Sequence, residues 1–268
     1  MSDIRLDGKV VLITGASQGL GRFMANGLAQ AGAHLVLTSI DAEGLEGAVA
    51  EVESSATGGR VHGIVADITS SDDCKRSLDE AVDVFGDLHV LVNNARRYHR
   101  GEPSAARLFW QSDPAYWQSA IATNVNGTFL MSHTVTPHLI ARKWGRIINI
   151  NTSVHQFQRA NSSPYGVSKA ALEAATQIWA RDLVGTGVTV NSLLPGGSCD
   201  TGVGGRTGPA SDQLLPPEVM IPPVIWLASE QSDGQTAGRY VGKFWDPKLA
   251  PSKAADIARE EPAFRVVE

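Results

Sequence analysis

Tyr165 and Lys169 stand four residues apart in a stretch rich in Ala and Leu. On a helix that spacing puts both side chains on one face, a turn apart. A free phenol has a pKa of about 10, too high for efficient proton exchange at neutral pH. A neighbouring ammonium favours the phenolate. Lowering the phenol by about three units takes roughly 4 kcal/mol, to which a close, partly desolvated cation contributes. The chemistry on offer is therefore proton transfer.

The second constellation is a glycine loop. Thr14-Gly15-Ala16-Ser17-Gln18-Gly19-Leu20-Gly21 follows a short apolar run and precedes a helix pattern. Such a turn brings backbone N–H groups to a pyrophosphate at a helix N-terminus. The generic GxGxxG spacing fails, because Met24 stands where its last glycine would be.

The elements that must position these residues alternate. Runs 10–14, 34–38, 60–66, 89–92, 146–150 and 188–193 read as strands, several almost wholly apolar. Helices are predicted near 19–31, 42–55, 71–85, 114–141 and 164–184. Continuous apolar strands suit a parallel sheet covered on both faces. Repeated strand–helix units then give an α/β, three-layered, doubly wound sheet. No linker divides the chain, so residues 1–246 are expected to form one domain. Residues 197–217 look like a substrate lid, and 247–268 a charged tail that is loosely ordered or packs on a partner subunit.

Composition excludes several classes. A net charge of −5 gives no general attraction to nucleic acid or anionic membranes. No apolar run approaches a membrane span, and the seven His form no HExxH or Cys/His array. Cys74 and Cys199 lie far apart and read as reduced thiols of a soluble cytoplasmic protein.

TGxxxGxG at Thr14–Gly21 and YxxxK at Tyr165–Lys169 resemble the short-chain dehydrogenase/reductase family. Other landmarks of that family follow in order: Asp67-Ile68 after the third strand, Asn93-Asn94-Ala95 after the fourth, Asn124 seven residues after Trp117, Ser153 after the fifth, and Pro195-Gly196 after the sixth. The resemblance implies a single-domain Rossmann-type fold. It also implies hydride exchange between NAD or NADP and a small carbonyl compound or secondary alcohol. Tyr165 would be the general acid/base and Lys169 would tune it and hold the nicotinamide ribose. Ser153 would bond the substrate oxygen, and Asn124 would shape its helix and hold a water linking Lys169 to solvent. Gly15, Ser17, Gln18, Gly19, Leu20, Gly21, Ser39, Ile40, Asp67, Ile68, Asn94, Ala95, Pro195, Gly196 and Thr201 would line the cofactor site together with Tyr165 and Lys169, Thr201 in a register shifted by one. A homotetramer or dimer built on the helices carrying Asn124 and Tyr165 is also implied.

The sequence departs from the family at three places. Arg96 replaces the glycine of NNAG and would reach a cofactor phosphate, an anionic substrate group or solvent. Ser39 stands where an acid would bind the ribose hydroxyls and repel a 2′-phosphate, and neither Ile40 nor Gln18 adds a cation. NADP is therefore permitted, with a slight lean towards it. Gly238-Arg239-Tyr240-Val241-Gly242 stands where the family carries its last strand and an Asp-Gly-Gly. Two rival readings remain: an epimerase or dehydratase on the same fold, and a non-catalytic dinucleotide sensor. The first lacks a sugar-nucleotide domain after residue 196, and the second would be expected to have lost Tyr165 or Lys169.

Overall fold

The computed structural model of the 268-residue chain describes residues 4–98, 108–202 and 214–264. Eight strands form one sheet: β1 (Val10–Thr14), β2 (His34–Ser39), β3 (Val61–Val65), β4 (Val90–Asn93), β5 (Gly145–Ile150), β6 (Val188–Leu194), β7 (Arg239–Val241) and β8 (Arg259–Glu260). Their order is β3-β2-β1-β4-β5-β6-β7-β8. β3 through β7 pair in parallel, and only β8 is antiparallel. The expected doubly wound sheet is present.

Period-two alternation divides the core. Val11 and Ile13 of β1 face α1 (Gly19–Gln30), which buries Met24 and Leu28 against them. Val10 and Leu12 face the other way, towards α5 (Thr128–Ala141) and its Met131, Val135 and Leu139. With both faces covered, β1, β5 and β6 are buried along their whole length.

Between α1 and α5 the chain adds α2 (Ala42–Ser55), α3 (Ser71–Phe85) and α4 (Pro114–Ile121). The helices read at 42–55 and 71–85 start on side-chain caps: Asp41 accepts from the Gly44 N–H and Ser70 from the Asp73 N–H. The helix read as one piece over 114–141 is not regular. Ala122–Gly127 widens into a π-turn between α4 and α5, with Asn124 inside it. After β5 come the short α6 (Val154–Gln158) and the long α7 (Tyr165–Asp182).

Residues 251–260, within the segment set apart as a tail, form a helix and a short strand, and the strand joins the same sheet. α8 (Ile221–Leu227) and α9 (Pro251–Ala258) bracket β7, and β8 pairs with β7 through Arg239–Glu260 and Tyr240–Arg259. Of the segment read as a lid, 203–213 lie outside the described residues. Its ends are tied, since the Asp200 N–H donates to the Leu215 carbonyl (2.9 Å) and the Leu215 N–H to that of Ser198 (2.8 Å). The strand order reverses at β1 and β4, so a crevice opens over their carboxyl ends.

Candidate active site and dinucleotide cradle

Thr14 and Asn94 join the two sides of that crevice. The Thr14 hydroxyl accepts from the N–H groups of Asn94 and Ala95, both at 3.0 Å. The Asn94 amide donates to the carbonyls of Thr14 and Gly15, both at 2.9 Å. Gly15 has φ +64°, and a Cβ there would stand 2.7 Å from the Ala95 Cα. A Cβ on Gly21 would stand 2.5 Å from both the Gly15 carbonyl oxygen and the Asn94 amide nitrogen. Only hydrogen fits at either place, so backbone amides line an open cradle before α1. That cradle fits a dinucleotide pyrophosphate.

Beside it, the Ser39 hydroxyl donates to Ser17 Oγ (3.0 Å) and accepts from the Asp41 N–H (3.1 Å). Gln18 and Ile40 are exposed, Ile40 to 69%. Asp67 folds its own loop, accepting from the N–H and hydroxyl of Thr69 at 2.8 Å each, and Ile68 is buried.

Lys169 lies on α7 and is only 2% exposed. Its Nζ donates to the Ile150 carbonyl at the end of β5 (2.6 Å). Burial pushes its pKa down to about 7, with the positive charge of Arg96 acting in the same direction. Tyr165, half-buried, opens α7 and meets the Tyr98 ring edge-on, centroids 4.8 Å apart. The Arg96 guanidinium sits over the other ring of that pair, 5.2 Å from the Tyr98 centroid. Ser153 precedes α6, and its hydroxyl caps no N–H of that helix. α6 and the start of α7 touch closely, because a Cβ on Gly166 would lie 2.5 Å from the Gln156 carbonyl oxygen. Ser153, Tyr165 and Lys169 thus belong to elements converging at the carboxyl end of β5.

Asn124 is buried, and both amide hydrogens are bonded. Its Oδ1 accepts from the Arg97 N–H (2.7 Å), while Nδ2 donates to the Arg97 carbonyl (3.2 Å) and to Ser168 Oγ (3.0 Å). The side chain therefore clamps the segment after β4 to α7. The Pro195 carbonyl accepts from the Lys243 N–H (3.1 Å), which fixes the turn at Gly196. Thr201 is half-buried and, among the described residues, hydrogen-bonds to none of the others predicted at the site. His99, Arg100 and Arg107, the basic residues that follow Arg96 and Arg97 in the sequence, lie outside the described residues. Thr14 and Ser168 escaped the sequence reading. Thr14 had a visible signal as the last residue before Gly15, whereas Ser168, inside YxxxK, gains its role only from a partner 44 residues away.

Residues 9–210 match the family model described as short chain dehydrogenase. The chain belongs to the short-chain dehydrogenase family. It is 33% identical over 193 residues to a 3-oxoacyl-[acyl-carrier-protein] reductase of Thermotoga maritima, covering 72% of this chain and 75% of that protein. It is 37% identical over 191 residues to a (2S)-[(R)-hydroxy(phenyl)methyl]succinyl-CoA dehydrogenase subunit of Thauera aromatica, covering 71% and 73%. The crystal structure of a 3-ketoacyl-(acyl-carrier-protein) reductase from Brucella melitensis complexed with NADH superposes with a TM-score of 0.75 at 25% identity, covering 87% of this chain and 96% of that one. The family read from TGxxxGxG and YxxxK is confirmed. The protein is an oxidoreductase that exchanges a hydride between NAD(P)(H) and a carbonyl or alcohol group. Among the described residues, no helix is long and apolar enough to cross a membrane, and no group of three or more His, Cys, Asp and Glu could hold a metal.

Proposed function

We propose that this short-chain dehydrogenase reduces a small ketone or aldehyde, or oxidises the matching alcohol, through proton transfer at the Tyr165 hydroxyl. The observation that carries this reading is the placement of Lys169, buried beside Tyr165 on one face of α7 and bonded to the end of β5. A bound NAD(P)(H) supplies or accepts the hydride. Tyr165 gives or takes the proton of the reacting oxygen, and Ser153 hydrogen-bonds that oxygen as charge develops. Lys169, with a pKa of about 7, exchanges its own proton in the range where Tyr165 must work. Asn124 acts at one remove, holding Ser168, and with it α7, against the segment that follows β4.

The test follows absorbance at 340 nm with NADH and NADPH against a panel of ketones, aldehydes and alcohols. Tyr165→Phe is expected to lose at least a hundredfold in kcat, the lower end of acid–base contributions, while cofactor Kd stays within a few-fold. Full turnover by that variant would refute the mechanism, and tight cofactor binding with no turnover on any compound would favour the sensor.

We further infer that both dinucleotides bind, NADP slightly better. Ser39 and Ser17 bring hydroxyls and no charge to the adenosine end, so nothing repels a 2′-phosphate and nothing pairs with it. Ser39→Asp is expected to shift the Kd ratio towards NAD. A homodimer or homotetramer would cover the apolar groove of about 580 Å³ lined by Val125, Phe129, Leu130, Ala171, Ala175 and Trp179, on the elements carrying Asn124 and Tyr165. Both cysteines are free thiols, which suits a reducing cytoplasm.

A further inference from the structure

The segment that departs from the family's Asp-Gly-Gly carries a completely buried arginine. Arg239 has no exposed surface and uses every edge of its guanidinium. Its Nη1 donates to Glu173 Oε2 (2.9 Å), Nη2 to the Thr152 carbonyl (2.7 Å) and Nε to Glu260 Oε2 (3.3 Å). Its plane lies over the Phe157 ring of α6, 5.6 Å from the centroid.

Glu173 is equally buried and sits one turn beyond Lys169 on α7. The same Oε2 also accepts from Asn151 Nδ2 (2.8 Å) and Ser192 Oγ (2.7 Å). The two residues before Ser153 are therefore gripped from both sides, Asn151 by its side chain and Thr152 by its carbonyl. Beyond Ser153, Phe157 is held between Arg239 and Phe264, whose ring stacks on it at 6.4 Å. With no capping bond of its own, the Ser153 hydroxyl takes its aim from this backbone.

A fully buried ion pair is a weak source of stability, since apolar residues of similar volume often do as well. What a planar guanidinium fork supplies is direction, fixing a carboxylate and a carbonyl at set angles. We propose that Arg239, paired with Glu173, is a positioning residue that sets Ser153 against Tyr165, and that Glu260 and Phe264 near the end of the chain complete the same device. The inference rests on the reading of Ser153 as the hydroxyl that bonds the substrate oxygen. It gives the C-terminal strand a part in the reaction that the strand's own sequence does not announce.

The experiment is a double-mutant cycle on the full chain, with kcat, KM, cofactor Kd and amide exchange read for each variant. Arg239→Lys keeps the charge but cannot bond Glu173, Thr152 and Glu260 together. It is expected to lower kcat about 10- to 100-fold, the scale of a catalytic group displaced by an ångström, with cofactor Kd within about twofold. In a Ser153→Ala background the same change is expected to lower kcat by less than about threefold. Amide exchange over 152–158 should rise while α1 and β2 stay as they are. Glu260→Gln and Phe264→Ala should move kcat and exchange the same way, by less.

Equal losses in both backgrounds would overturn the proposal, as would unchanged exchange over 152–158. Should Arg239→Lys not fold, Glu173→Gln/Arg239→Gln removes both buried charges and takes its place in the cycle. Full turnover by Ser153→Ala alone would instead refute the role of Ser153, a failure visible before Arg239 is touched. If no carbonyl on the panel reacts, the exchange measurement decides: protection of 152–158 unaffected by Arg239→Lys overturns the proposal.

Discussion

Lys169 should make the protein less stable than it would be without it. An ordinary lysine has a pKa of 10.5, and burial brings this one down to about 7, a difference worth about 5 kcal/mol at 1.36 kcal/mol per unit. Because the side chain is only 2% exposed, solvent screening discounts that figure little. Between the two values the unfolded chain holds a proton that the folded chain has released. Stability therefore rises with pH across that window, and below it the penalty is present in full. Lys169→Met keeps most of the volume, removes the penalty and forfeits the bond to the Ile150 carbonyl, worth about 1 kcal/mol. The variant should be more stable by about 3–4 kcal/mol at pH 6–7 and about 1 kcal/mol at pH 9, with no advantage left near pH 10.5. Urea unfolding followed by tryptophan fluorescence, at fixed protein concentration over pH 6 to 10, measures it. Turnover should be lost at every pH. A variant no more stable than the parent at pH 6–7, or pH curves that run parallel, would refute the reasoning that burial, helped by the charge of Arg96, holds the Lys169 pKa down.

Other variants probe the remaining parts of the site. Gly21→Ala puts a methyl 2.5 Å from two polar atoms of the cradle, so cofactor Kd by calorimetry should rise at least about tenfold and stability fall by about 1–3 kcal/mol. Arg96→Gly removes the second cause holding Lys169 down. The Lys169 pKa should rise and the corresponding limb of the kcat–pH profile should move to higher pH; a limb that stays or moves down would show that Arg96 does not act there. Asn124→Ala leaves the Arg97 N–H, the Arg97 carbonyl and Ser168 Oγ without their partner. It should cost about 2–3 kcal/mol in urea unfolding, at about 1 kcal/mol per bond.

What the sequence made legible follows the range of the interactions involved. Helices were read near 42–55 and 71–85, and what starts them is local: Asp41 and Ser70 cap N–H groups only three positions ahead. The glycine pattern of the cradle is local for the same reason, since Thr14 to Gly21 is one continuous stretch from the end of β1 to the start of α1. The π-turn at 122–127 was not, because it is tied to a clamp between Asn124 and Arg97, 27 residues away, and hydrophobic spacing carries no trace of that bond. Arg239 was noticed only as a departure. Its partners lie 66, 87 and 21 residues off, and a lone arginine in a strand reads as an edge or surface residue until the fold buries it.

The same difference in range separates the two halves of the site. The dinucleotide cradle is held by β1, the loop after it and Asn94, which follows β4 across the strand-order reversal. The reactive end is held by β5, α7, β7 and β8, and its bonds to Lys169, Asn151 and Thr152 share no residue with the cradle. Coupling energy between groups with no common partner is small. Lesions at Ser153 or Arg239 should therefore lower turnover and leave the dinucleotide bound, whereas a lesion at Gly21 should weaken dinucleotide binding first and turnover only as a consequence.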